Sequence, residues 1–214
     1  MILADIGNSY FHIYDGEKIE HLTYEDAVNK YKEESLYYIT VKHQLTSQIE
    51  EIKKWKNISS SVKIVGEYDT MGVDRKALCL SHKNGIFVDA GSAITVDVVE
   101  DGIYMGGFIL PGLKAYLESY KSISSALDVD LSEELNLTYL LAHLPTTTKE
   151  QISYGIIASI KALIDKHSDG KKSNNRKLYF TGGDGKFLSQ YFEEAVYDQM
   201  LVFDGMQKVI GVMG

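Results

Sequence analysis

The sequence predicts an α/β protein of two similar lobes, each a mixed sheet that opens as a β-meander and is completed by helices. Three observations carry this expectation. A strand, turn, strand, turn, strand block beginning at Ile2 recurs from Ile86; helical periodicity follows each block; and a late apolar run, Leu178-Tyr179-Phe180, leads into a glycine-rich turn.

The first block reads Ile2-Leu3-Ala4-Asp5-Ile6-Gly7-Asn8-Ser9, an apolar strand ending in Asp-x-Gly, then an alternating stretch over 10–14, Asp15-Gly16, and a further run through Ile19 and Leu22. Asp-Gly between alternating runs is hairpin chemistry, because both residues tolerate the backbone of a tight turn. Residues 45–55 place Leu45, Ile49 and Ile52 at helical spacing, and Val62-Lys63-Ile64-Val65 reads as a strand. The second block repeats the first: Ile86-Phe87-Val88-Asp89-Ala90-Gly91-Ser92, a strand over 93–99, Asp101-Gly102, and Ile103-Tyr104-Met105. Helical patterns then cover 113–127 and 149–167, the latter with Ile152, Ile156, Ile160, Leu163 and Ile164 on one face. Pro111-Gly112 shapes the approach to the first of these helices, and Thr148-x-x-Gln151 reads as a capping box on the second. A polar, basic loop over 171–177 precedes Leu178-Tyr179-Phe180 and Thr181-Gly182-Gly183-Asp184-Gly185. The expected lobes are 1–85 and 86–214, divided where the second meander begins.

Composition narrows the function classes. With 214 residues, 44% hydrophobic and 24% charged, the chain can bury a core. Its formal charge of −8 repels nucleic acid backbones and anionic membranes, so neither is an expected partner. Cys79 is the single cysteine, which excludes an intramolecular disulfide and reads as a buried apolar residue. Only Met1-Ile2-Leu3-Ala4 precede Asp5 and no apolar run reaches bilayer length, so a cytoplasmic location is expected.

An Asp-x-Gly turn suits nucleotide chemistry because glycine lets backbone N–H groups approach phosphate oxygens while the strand-end carboxylate holds a metal ion or its waters. A single copy is an ordinary hairpin. Two copies at equivalent places in a repeated unit, joined by Thr181-Gly182-Gly183, resemble the ribonuclease H-like, actin-like ATPase architecture shared by actin, sugar and acetate kinases and heat-shock ATPases. That resemblance implies that a loop from each lobe faces the polyphosphate of ATP. Asp5 would organise Mg²⁺ through water, Ile6, Gly7, Asn8 and Ser9 would line the phosphates, Ser92 would meet the transferring phosphate, and Thr181, Gly182 and Gly183 would pass the nucleotide at a helix N-terminus.

Further motifs narrow the resemblance: Gly72-Val73-Asp74-Arg75, the run from Asp89 to Asp97, Gly106-Gly107-Phe108-Ile109-Leu110-Pro111-Gly112, and Thr148 ahead of Gly155. In this order they resemble the type III pantothenate kinases, which phosphorylate the primary alcohol of pantothenate in the first step of coenzyme A biosynthesis. The resemblance implies Asp74 as general base, Gly72, Val73 and Thr148 against pantothenate, and Arg75 against its carboxylate, which a guanidinium fork grips bidentately. It implies Asp89 as holder of a monovalent cation, K⁺ or NH₄⁺, and a homodimer in which Gly155 lets helices approach. From the tetrapeptide alone, Asp74 and Arg75 read as surface charges capping the helix through Leu78. His12 stands where the family often has a lysine, a weaker and pH-dependent cation for phosphates or else a core or hairpin histidine. Tyr68 is the candidate for the family's substrate tyrosine. Asp97 and 106–112 read as scaffold. A sugar or carboxylate kinase of the same superfamily, and a nucleotide-binding regulator without catalysis, are the competing readings.

Overall fold

The computed structural model describes residues 1–7, 10–41, 49–131, 141–168 and 176–213. It divides into two compact units, Met1–Lys83 with Val99–Met105 and Gln199–Gly214, and Asn84–Val98 with Gly106–Asp198. The first unit therefore includes the C-terminal helix.

In the first unit, β1 (Ile2–Ile6), β2 (Phe11–Tyr14) and β3 (Ile19–Leu22) form the meander, and β4 (Leu36–Thr40) and β5 (Trp55–Asn57) extend it, in the order β3-β2-β1-β4-β5. The meander pairs are antiparallel, while β4 lies parallel to both β1 and β5. Helix α1 (Tyr24–Tyr31) begins at Thr23, whose side-chain oxygen accepts from the Asp26 N–H. Strand alternation sends Ala4, Ile6, Phe11 and Ile13 into a core with Ala27, Tyr38 and Trp55. The Trp55 indole N–H is satisfied by the Tyr31 carbonyl at 3.0 Å. Asp5 and His12 belong to the alternate set of positions.

Two sequence expectations change here. Of the helix expected over 45–55, residues 45–48 lie outside the described residues, only 49 and 50 are helical among the rest, and Trp55 opens a strand. The strand expected at 62–65 is a loop with one bridge, Val65 to Ile103. Val62 and Ile64 alternate because they plug the core at 1% and 5% exposure, not because they pair.

Helix α2 (Val73–Leu80) completes the site-bearing part of this unit, and α6 (Leu201–Met213) packs on it. Their crossing is close enough that a Cβ on Gly205 would lie 1.8 Å from the Ala77 carbonyl oxygen, so only glycine fits. Lys208 donates to the carbonyls of Leu80 and Ser81, satisfying the C-terminal end of α2.

The second sheet comprises β6 (Gly85–Ala90), β7 (Ala93–Glu100), β8 (Ile103–Pro111), β9 (Leu178–Thr181) and β10 (Val196–Tyr197) in the order β10-β9-β6-β7-β8, the tip of its β7–β8 hairpin, Val99–Met105, being assigned to the first unit. β9 runs parallel to β6 and β10. Asp101 (φ 50°) and Gly102 (φ 79°) make the tight turn that their dipeptide predicts. Helices α3 (Leu113–Ile123), α4 (Thr148–Ser168) and α5 (Gly185–Ser189) follow the meander. Ile152, Ile156, Ile160 and Ile164 of α4 bury one stripe against Ile86, Val88, Ile94 and Phe180. Both sheets thus have the meander-then-helix plan read from the repeat.

Candidate active site

In the first unit the strand ends gather at one edge. Asp5 is half-buried near the end of β1, and the Gly7 N–H closes the following turn on the Tyr10 carbonyl at 3.1 Å. Asn8 and Ser9 lie outside the described residues. The Ile6 side chain is fully buried in the core, so only its backbone is open to a ligand, and its carbonyl accepts from Val41 N–H and Thr40 Oγ1, both at 3.4 Å. Val41 in turn approaches Gly72, the N-cap of α2: a Cβ there would be 3.8 Å from Val41 Cγ1 and 2.4 Å from Asp74 Oδ1. Glycine at 72 leaves room for the Asp74 carboxylate, and the turn after β1 and the start of α2 become neighbours.

Asp74 sits in the first turn of α2, where the unpaired N–H groups of a helix favour a carboxylate; its Oδ1 accepts from the Arg75 N–H at 2.8 Å. Arg75 is not a surface charge, being only 6% exposed. Its Nη1 donates to the Tyr68 hydroxyl at 2.7 Å and its Nη2 to the Tyr104 hydroxyl at 3.4 Å. The segment carrying Tyr68 is pinned on both sides. Gly66 (φ 86°) has no space for a side chain against the Tyr104 carbonyl, 2.6 Å from its would-be Cβ, and the Tyr104 N–H donates to Val65 at 2.8 Å. Glu67 bridges Lys76 of α2 at 2.9 Å and accepts from the Ile64 N–H at 2.7 Å. Burial opposes its ionisation, yet those two donors hold the Glu67 carboxyl below its usual range. Tyr68 is 41% exposed, so its ring can reach a ligand while its hydroxyl holds Arg75.

His12 lies directly across from Asp5 on one side and His21 on the other. Burial, then the neighbouring His21, lowers its pKa to about 4. The ring is uncharged at neutral pH, so His12 carries a hydrogen-bonding group and not the charge of a lysine.

In the second unit the turns are built from backbone. Asp89 pairs in register with Thr181, which is buried. Gly182 (φ 84°) lies so close to that pair that a Cβ would come within 2.5 Å of both Asp89 Oδ1 and the Ala90 carbonyl oxygen. The same carbonyl accepts from the Asp184 N–H at 2.9 Å. Burial raises the Asp184 carboxyl above its ordinary range. The Gly91 N–H closes the second Asp-x-Gly turn on Ala93 at 2.9 Å, and the Gly112 N–H holds Ser92 through its carbonyl at 3.2 Å. Gly112 has its own steric reason, since a Cβ would come within 2.3 Å of the Gly91 carbonyl oxygen. Asp89, Ser92, Thr181 and Gly182 therefore meet at one end of this sheet, with Gly183 open, no atom lying within 4 Å of its would-be Cβ.

The capping box of α4 differs from expectation by one residue. Thr147, not Thr148, accepts from the Glu150 N–H at 3.4 Å and donates to its carboxylate at 2.8 Å. Gln151 turns its amide to the Pro145 carbonyl at 3.2 Å, and Thr148 is an exposed first-turn residue. Gly155 is exposed, its would-be Cβ meeting Tyr120 at an ordinary 3.7 Å, so packing within the chain does not require glycine there.

Among the described residues no three His, Cys, Asp or Glu side chains converge to cage a metal. Single strand-end carboxylates, at Asp5 and in the Gly182 cradle at Asp89, fit hard cations completed by water and phosphate oxygens. Sequence reading passed over Tyr104, Glu67 and Lys76, whose roles depend on partners far along the chain.

The family model described as type III pantothenate kinase matches residues 57–169. A type III pantothenate kinase from Helicobacter hepaticus is 40% identical over 213 residues, 98% of each chain. A solved Campylobacter jejuni structure, described as a conserved Baf family transcriptional activator, superposes with TM-score 0.85 at 36% identity, covering 100% of this chain and 98% of that one. At 11% identity and TM-score 0.57, a Sinorhizobium meliloti structure described as a 2-dehydro-3-deoxygalactonokinase covers 99% of this chain and 98% of that one; it shares the fold of the actin-like ATPases and sugar kinases.

Proposed function

Since the chain belongs to the type III pantothenate kinase family and is a phosphotransferase acting on pantothenate in coenzyme A biosynthesis, we propose that Asp74 is its general base and Arg75 the anchor of the substrate carboxylate. The observation that carries this assignment is the buried Arg75, gripped by the hydroxyls of Tyr68 and Tyr104 one residue from a carboxylate in a helix's first turn. Those two hydroxyls fix the orientation of a planar guanidinium fork, whose geometry matches a carboxylate bidentately. Tyr68, Gly72, Val73 and Thr148 complete the pantothenate contacts. Freed from capping by Thr147, the Thr148 hydroxyl is available for that task.

Asp5, Gly7, Asn8 and Ser9 serve the ATP phosphates together with Ser92 and Thr181 to Gly183, with His12 as a neutral hydrogen-bonding neighbour and the Ile6 backbone as support. Mg²⁺ supplies charge neutralisation for the loose transition state of phosphoryl transfer. Asp5 would hold its waters, and Asp89 would hold K⁺ or NH₄⁺. Asp74 orients the pantothenate alcohol and takes its proton late, as the bond to phosphorus forms. The enzyme works as a cytoplasmic homodimer, with the exposed Gly155 on a helix face open to a second copy. Among the described residues no helix is long and apolar enough to cross a membrane.

Pantothenate-dependent ATP turnover tests the assignment. Asp74→Asn is expected to lower kcat by about 10² to 10⁴-fold while leaving the KM for pantothenate within a few-fold. Turnover equal to wild type would remove Asp74 as base, and turnover that needs a sugar instead would point to the neighbouring kinase class.

A further inference from the structure

His12 and His21 face each other across the β2–β3 ladder, and the reaction proposed above gives His21 no task. Their ring centroids are 4.7 Å apart at an interplanar angle of 78°, and the two Nδ1 atoms approach to 2.5 Å. A neutral imidazole pair can place one proton between two such nitrogens, and 2.5 Å is short even for that contact. Two ring nitrogens from adjacent strands aimed at one point, one half-buried and one exposed, present a ligand pair to a cation arriving from solvent.

We infer that His12 and His21 bind a divalent transition metal such as Zn²⁺ through their Nδ1 atoms, and that its occupancy restrains the kinase. Tetrahedral Zn²⁺ with Zn–N bonds of about 2.0–2.1 Å needs the nitrogens roughly 3.3 Å apart, an opening that rotation of the exposed His21 supplies. Imidazole suits Zn²⁺, Ni²⁺ and Cu²⁺, whereas Mg²⁺ and K⁺ prefer oxygen, so the cations of the reaction do not compete for the pair. Among the described residues no third His, Cys, Asp or Glu side chain completes a cage, so the remaining positions go to water and binding is reversible. Asp5 is the in-register neighbour of His12 on β1, and cross-strand partners project to the same face of the sheet. A dication on the histidine pair therefore lies one strand away from the carboxylate assigned to Mg²⁺, where it repels that ion. The restraint rests on the role proposed for Asp5; the metal site does not.

The test titrates ZnCl₂ into the chelator-treated full chain by calorimetry, with the thermal midpoint followed in parallel, for wild type, His21→Gln and His12→Gln. Wild type is expected to take up Zn²⁺ with a rising midpoint. Either substitution is expected to weaken that binding at least about tenfold, as loss of even an outer partner of a metal ligand does. Because His21 is exposed, His21→Gln retains the wild-type circular dichroism and decides the matter even if His12→Gln does not fold. Zn²⁺ binding by His21→Gln with wild-type affinity and stoichiometry would overturn the site. In the kinase assay Zn²⁺ should inhibit wild type at concentrations that spare His21→Gln; equal inhibition of both would overturn the restraint. A wild type with no pantothenate-dependent turnover would count against the function proposed above and leave the calorimetric comparison intact.

Discussion

The element over 64–75 in the first unit and the turns around Asp89 in the second are assembled by different means. The first has close backbone approaches at Gly66 and Gly72 but is tied together by side chains: Glu67 to Lys76, Tyr68 and Tyr104 to Arg75. The second is held by missing side chains, with Gly112 and Gly182 giving the backbone of Gly91, Ser92 and Ala90 its close contacts. Side-chain contacts can be loosened one at a time and retuned. A backbone contact where no Cβ fits is all or nothing, which suits the phosphate-binding role proposed for these turns.

The largest effect should come from the glycine-built side. Gly182→Ala forces a side chain into a left-handed backbone at φ 84° and against two oxygens at 2.5 Å. Strain of about 1–3 kcal/mol before the clash is counted should lower the thermal midpoint and abolish turnover together. Gly183→Ala, with open space around it, is the matched control and should stay within about 0.5 kcal/mol of wild type. If both alanines behave alike, the steric account of this turn is wrong.

On the side-chain-built side, Arg75→Lys keeps the charge but loses the fork. Steady-state kinetics should show the pantothenate KM raised roughly ten- to hundredfold, the equivalent of about 1.5–3 kcal/mol, with kcat less affected. Unchanged saturation would take Arg75 out of the site. Glu67→Gln should do less. Its ion pair with Lys76 is partly exposed, so about 0.5–1 kcal/mol of stability and a few-fold rise in the same KM are expected. A kcat effect without a KM effect would show that the loop does not position substrate.

A further effect is read against pH. His12 is neutral in the fold down to about 4, while an unfolded histidine gains its proton near 6.5, so the unfolded chain binds more protons between those values. The contribution of a neutral His12 is complete above about pH 6.5 and is lost as pH falls toward 4. Denaturant unfolding should therefore lose more stability over that window in wild type than in His12→Gln, and parallel curves would contradict the burial of His12.

The same contrast governs what the sequence discloses. Asp15-Gly16, Asp101-Gly102 and Thr181-Gly182-Gly183 are legible because turn chemistry is local, and the repeated meander follows from them. Tyr104 with Arg75, Glu67 with Lys76 and Gly205 with Ala77 are set by tertiary neighbours, and neither spacing nor residue type marks them. Burial without pairing made 62–65 resemble a strand. The cap of α4 slipped by one because Thr147-Thr148 and Glu150-Gln151 offer two boxes, and only the ionised partner adds a charge favoured at a helix N-terminus. The pairing of His12 with His21 is not legible either: a two-residue turn at Asp15-Gly16 would set His12 against Ile19, and only the wider turn over Asp15 to Lys18 brings His21 opposite.

A crystal structure with pantothenate and a non-hydrolysable ATP analogue bears most directly on the central assignment. The pantothenate carboxylate is expected on the Arg75 guanidinium, with its primary alcohol within hydrogen-bond reach of the Asp74 carboxylate. Pantothenate bound elsewhere, with Arg75 still closed on Tyr68 and Tyr104, would contradict it.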